Sequence, residues 1–138
     1  MRARWISALM FAMAAVAVPN AGSSQEIGKS TYLASCASCH GVEGRGDGPV
    51  AKTLKQRPAD LTKLSDANGG VFPLSRVYRV IDGRFEVETH GTREMPVWGE
   101  LFKPVFPLSE IGNGLDEVVV RARILAVIEY VSTLQKTK

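Results

Sequence analysis

Cys36-Ala37-Ser38-Cys39-His40 is the stretch on which the reading of this chain turns. Its two cysteines are the only ones in 138 residues. Three positions apart on a helical turn, two side chains lie one above the other on the same face. Two thiols placed that way can each add to one vinyl group along one edge of a porphyrin. The next residue, His40, then lies under the ring and presents an imidazole nitrogen to its iron. C-x-x-C-H is accordingly read as a covalent haem-attachment sequence. One haem c is expected, with Cys36 and Cys39 as its thioethers and His40 as an axial ligand.

Other uses of the same thiols fit less well. A zinc site needs four ligands and a second pair such as H-x₃₋₅-H or C-x₂-C, whereas the chain has two histidines, His40 and His90, and no second pair. A thioredoxin-like C-x-x-C belongs near a βαβ pattern, and no such pattern precedes Cys36. One tight cysteine pair cannot staple a fold of this length as a disulfide framework would.

Working outward, Arg2 and Arg4 precede an apolar run over 5–18 that Pro19 and Asn20 break. A basic flank, a short apolar stretch and small residues describe a secretory signal peptide. The run is shorter than the roughly 20 residues a membrane-spanning helix needs. The expected organisation is a signal peptide over 1–23, its end lying somewhere in 17–25, and one domain over 24–138. Export to the periplasm, and no membrane span in the mature chain, follow as expectations. Losing Arg2 and Arg4 takes the basic count from 17 to 15 against 14 acids, a net charge of +1. That balance, without a basic stripe, argues against a nucleic-acid partner.

The periodicities are helical throughout, and no strand pattern is persuasive. A helix is expected over 26–38, with Ile27, Leu33 and Cys36 apolar. Gly41, Gly44, Gly46 and Gly48 then make a loop. The Gly-x-Gly-x-Gly pattern there follows a helix and not a strand, which removes a nucleotide-binding reading. Short helices are expected over 50–55 and 61–64, the second capped by Asp60. Another is expected over 74–81, with Leu74, Val77, Tyr78 and Ile81 on one face and Gly83 past its end. The stretch 84–91 reads as loop, and a turn of helix is expected near 98–102. The last helix, over 115–134, has Asn113 or Asp116 as candidate caps. Its broad apolar face holds Val118, Val119, Ala122, Leu125, Ala126, Ile128 and Leu134.

Gly28, Tyr32, Cys36, Cys39, His40, Gly48-Pro49, Met95 and the pair Val127/Tyr130 together resemble the class I c-type cytochromes, over most of the mature chain. That resemblance implies an all-α cytochrome c fold, in which the N- and C-terminal helices cross while short helices and loops wrap one haem. Gly28 and Tyr32 stand eight and four residues before Cys36, the family's offsets for the helix crossing, and Val127 and Tyr130 match the residues that meet them.

Met95 is the one methionine outside the signal stretch, and Arg93-Glu94-Met95-Pro96-Val97-Trp98-Gly99 resembles the family's Met-Pro ligand loop. The resemblance therefore implies Met95 as the second axial ligand; His90 is the rival. By the same resemblance the Pro49 carbonyl accepts from the other ring nitrogen of His40, with Pro58 as a second candidate. Arg57, Arg76, Arg79, Arg84 and Trp98 are available as donors to the haem propionates, and Arg84 and Trp98 are expected in that role.

A neutral thioether favours ferrous iron, and two filled axial positions leave no place for a substrate. The expected function is single-electron transfer between redox partner proteins, as a periplasmic carrier or an electron-transfer subunit, and not enzymatic turnover. The alternative is a haem enzyme or gas sensor with an open sixth position.

Overall fold

The computed structural model describes residues 22–84 and 95–136. Residues 1–21 of the expected signal stretch, residues 85–91 of the expected loop and His90 lie outside the described residues. Among the described residues five α-helices run in chain order: α1 (Gly22–Ser35), α2 (Ala37–His40), α3 (Leu74–Asp82), α4 (Trp98–Leu101) and α5 (Leu115–Thr133). Single 3₁₀ turns occupy Ala51–Thr53, Leu61–Lys63, Asp66–Asn68 and Leu108–Glu110. Among the described residues there is no strand. The all-α expectation holds.

The terminal helices α1 and α5 form the main packing contact. They touch where the chain has no side chain to hold them apart. A Cβ at Gly28 would overlap the Ala126 carbonyl and come within 3.2 Å of the Tyr130 Cβ. Around this crossing Tyr32 and Tyr130 pack with ring centroids 5.2 Å apart and planes tilted by 52°. Val127 is 1% exposed beside them. The core then continues along α5 through Val120, Ile124, Ile128 and Val131. Each aliphatic side chain buried this fully contributes about 1.5–3 kcal/mol relative to exposure.

The buried stripes differ from the expected ones in two helices. On α5, Val118 and Leu125 are exposed, while Val120, Ile124 and Val131 are buried. On α1, Ile27 and Leu33 face outward, and the buried line is Gly28, Tyr32 and Cys36. Both helices carry apolar residues on more than one face, so either stripe satisfies the 3.6-residue period. The expected helix over 26–38 also breaks at Cys36, which separates α1 from α2.

Caps follow the sequence at α3 and not at α5. Gly83 takes φ +70 in the left-handed region, its N–H donating to the Arg79 carbonyl at 3.0 Å. Asp60 caps the Leu61–Lys63 turn by accepting from the Thr62 N–H at 3.0 Å and its hydroxyl at 2.6 Å. For α5 the N-cap is Gly114, and neither Asn113 nor Asp116 caps it. Asp116 instead accepts from the Leu108 N–H at 2.7 Å, tying the preceding turn onto the helix. At the far end of α5 the Gln135 side-chain amide donates to the Leu61 carbonyl (2.7 Å), and its oxygen accepts from the Ser65 N–H (2.9 Å).

Candidate haem site

Cys36, Cys39 and His40 occupy one helical turn. The N–H groups of Cys39 and His40 both donate to the Cys36 carbonyl, at 3.1 and 2.9 Å. The next ten residues hold that turn in place. A helix ending after four residues leaves its carbonyls without intrahelical partners. Here the loop that follows supplies every one of them. Gly41, Val50, Gly48 and Gly46 donate to the carbonyls of Ala37, Ser38, Cys39 and His40 at 2.9, 3.1, 3.1 and 2.8 Å.

This return path sets the glycine spacing. Gly41 ends α2 at φ +81, which a side chain rarely adopts. At Gly48 the loop backbone lies so close to α2 that a Cβ would overlap the Ser38 oxygen and stand 2.6 Å from that of Ala37. The loop was legible in the sequence; its role as the partner of the α2 carbonyls was not, although the four glycines within eight residues carried that signal.

The thiols differ in environment. Cys36 is 8% exposed and belongs to the core cluster, while Cys39 is half-buried. Burial, with a smaller contribution from the Cys39 sulfur, pushes the free Cys36 thiol up to about 11. It therefore lies uncharged in the core at neutral pH, as a group destined for an apolar partner should.

His40 is half-buried, and its Nδ1 lies 3.0 Å from the Ala59 carbonyl. This corrects the expectation for Pro49, and for Pro58 as second candidate. Pro49 is exposed in the loop and its carbonyl is not the partner of His40. The segment before Asp60 brings Ala59 there because it packs onto Gly46, whose added Cβ would overlap the Pro58 carbonyl. An Nδ1–H donating to a backbone carbonyl leaves Nε2 with its lone pair, the tautomer a metal requires. Burial lowers the pKa of His40, and the Ala59 bond opposes that shift.

Met95 is half-buried and packs with Trp98 against the same cluster that holds Cys36, Ile81 and Phe102. The Trp98 and Phe102 rings lie 5.3 Å apart. Arg123 on α5 donates to the Phe102 carbonyl at 2.8 Å, anchoring the end of α4.

Arg84 has a different set of partners from the expected one. Its guanidinium donates to Asp82 at 2.6 and 2.8 Å and to Glu117 at 2.7 and 2.9 Å. Four of the five N–H groups of an arginine are thereby committed to carboxylates, which leaves little for a propionate. Arg57, Arg76 and Arg79 are exposed, and Trp98 is half-buried.

The residues fit a haem. Two thiols and an imidazole converge on one turn, and the tautomer of the imidazole is fixed. Half-buried apolar side chains, among them Leu64, Phe72, Val77, Tyr78 and Trp98, pack around the same core and suit a flat apolar ring. Among the described residues no group of three or more His, Cys, Asp or Glu side chains could hold a metal ion by itself.

Terminal helices crossing at a glycine, with a C-x-x-C-H turn closing the first, define a c-type cytochrome domain. It carries one covalent haem c through its paired cysteines and serves as an electron carrier, not an enzyme. The family model described as cytochrome c oxidase, cbb3-type, subunit III matches residues 23–104, more than half of the chain, and the chain belongs to that family. No curated protein and no solved structure matches it.

Proposed function

We propose that His40 and Met95 are the two axial ligands of the haem iron and that the chain passes single electrons between redox proteins outside the cytoplasm. The observation that carries this reading is the shared core. Met95, the one methionine beyond the signal stretch, packs against the cluster to which Cys36 belongs. The Ala59 contact to Nδ1 supports His40 as the opposite ligand. When bound, the haem supplies a one-electron ferric/ferrous couple, which a soft sulfur ligand biases toward the ferrous state. The chain's own contribution is to fix the imidazole and to keep the thioether in an apolar, half-covered setting. Trp98 is kept as a donor to a propionate.

The oxidised protein should show a sulfur-to-iron charge-transfer band that Met95→Ala abolishes. Its absence from the native protein, or its survival in the variant, overturns the ligation. Carbon monoxide binding to the native reduced protein would favour the open-site alternative.

We further propose that residues 1–23 are a signal peptide and that the mature domain works in the periplasm. Among the described residues no helix is long and apolar enough to cross a membrane. N-terminal sequencing of the haem-stained protein should find its start within the 17–25 region. Of the two modes of action, an electron-transfer subunit is favoured by the family's description and by the connection between α4 and α5. There Val105, Phe106 and Ile111 are 91%, 81% and 80% exposed. Grouped apolar exposure of this kind marks contact surfaces, here one facing a larger redox protein.

A further inference from the structure

The Asp82–Arg84–Glu117 cluster is absorbed neither by haem attachment nor by the helix crossing. Asp82 sits at the end of α3 with its side chain 1% exposed. Burying a carboxylate so fully is costly unless it is paired and hydrogen-bonded. The Arg84 guanidinium meets both of its oxygens and reaches across to both oxygens of Glu117 on α5. Two-pronged contacts of this kind fix direction as well as distance.

The position of the cluster in the chain gives it a task. Arg84 is where the chain leaves α3, and Met95 lies on the segment by which it returns to α4. Gly99, in the first turn of α4, is packed on the cluster itself. A Cβ there would overlap Asp82 Oδ1 and stand 2.5 Å from Arg84 Nε. The cluster thus seats Gly99, four residues after Met95, and Glu117 fastens that seat to α5.

Resting on the ligation proposed above, we infer that Arg84, with Asp82 and Glu117, is a positioning group that anchors the Met95–Gly99 segment at Gly99 and so holds the thioether on the iron. The clamp acts through the backbone between Met95 and Gly99. A thioether is a weak ligand, so whether the sixth position stays closed depends on how firmly its loop is held. Lysine in place of Arg84 keeps the charge and loses the fork.

The test uses the mature holoprotein carrying Arg84→Gln, Arg84→Lys, Gly99→Ala and, as a control, Lys103→Ala. The control breaks only the exposed Lys103–Glu100 pair beside α4. The readouts are the sulfur-to-iron band, the reduction potential and carbon monoxide binding, with far-UV circular dichroism to report the fold. Arg84→Gln should lose most of the band, lower the potential and bind carbon monoxide; Arg84→Lys should fall between it and the native protein. Gly99→Ala keeps all three charges and should follow Arg84→Gln, which separates positioning from a purely electrostatic effect. Lys103→Ala should match the native protein.

Arg84→Gln and Gly99→Ala proteins that fold and keep the full band, potential and refusal of carbon monoxide overturn the clamp alone. Should Arg84→Gln fail to mature, Gly99→Ala and Arg84→Lys decide on the same readouts. A native protein without the band overturns the ligation, and the clamp with it.

Discussion

The Tyr32 hydroxyl, on a side chain with no exposed surface, donates to the Gly41 carbonyl over 2.6 Å. Nine residues separate the two, and the haem-attachment turn lies between them. The bond fastens the residue after His40 to the last turn of α1. The same ring packs against Tyr130, so one side chain connects the helix crossing to the attachment turn. Burial, with smaller contributions from Cys36, Tyr130 and Asp47, raises the pKa of Tyr32 well above its ordinary value, and the hydroxyl stays protonated as a donor.

Tyr32→Phe keeps the ring and removes the donor. Gly41 still accepts from the Gly44 N–H at 3.1 Å, so its carbonyl is not stranded. The expected loss is about 1 kcal/mol, the net worth of one hydrogen bond. Urea unfolding of the holoprotein should show an earlier midpoint with an unchanged slope.

Gly48→Ala tests the loop that holds the attachment turn. The added methyl meets backbone carbonyls of α2, which cannot swing aside as a side-chain tip can. Overpacking typically costs about 1–3 kcal/mol, and with backbone as the neighbour the upper end is expected. The readouts are haem per polypeptide by staining and the thermal midpoint. Unchanged values in both would contradict the tight return path.

The clamp also predicts a pH dependence. The bond from Arg84, and then its charge, hold the Glu117 carboxyl below its ordinary value, and Arg121 adds to this; burial and the charge of Asp82 pull the other way. A carboxylate whose folded pKa is depressed stabilises the fold fully above its unfolded value of about 4.3. That contribution is lost as the pH falls through the lower, folded value. The stability gap between the native protein and Glu117→Gln should therefore be flat from neutrality down to about pH 5 and close toward pH 3. With Glu117 45% exposed, added salt should narrow it. Denaturant midpoints across that range supply the measurement, and a gap that widens in acid would contradict the pairing.

The features legible in the sequence are those whose chemistry fixes residue type and spacing together. Cys36, Cys39 and His40 had to stand as they do to grip one ring edge. Gly28 and Tyr32 had to precede them for α5 to cross, and the structure brings Ala126, Val127 and Tyr130 to that crossing. The partner of His40 left no such trace. It is the carbonyl of Ala59, and any residue presents a carbonyl, so Pro49 and Pro58 were no less plausible from sequence. The buried stripe of α5 was ambiguous because valine, leucine and isoleucine occupy several of its faces. The carboxylate pairing of Arg84 left no trace in the sequence because its second partner, Glu117, lies 33 residues away and is brought near only by the packing of α3 on α5.

The four α2 carbonyls all find their donors within twelve residues of chain. Pairings so close in sequence carry little loop-closure entropy and form on the fastest timescales of folding. The cradle for the cofactor is therefore a locally encoded unit. Its hydrogen bonds draw on no residue of the last helix.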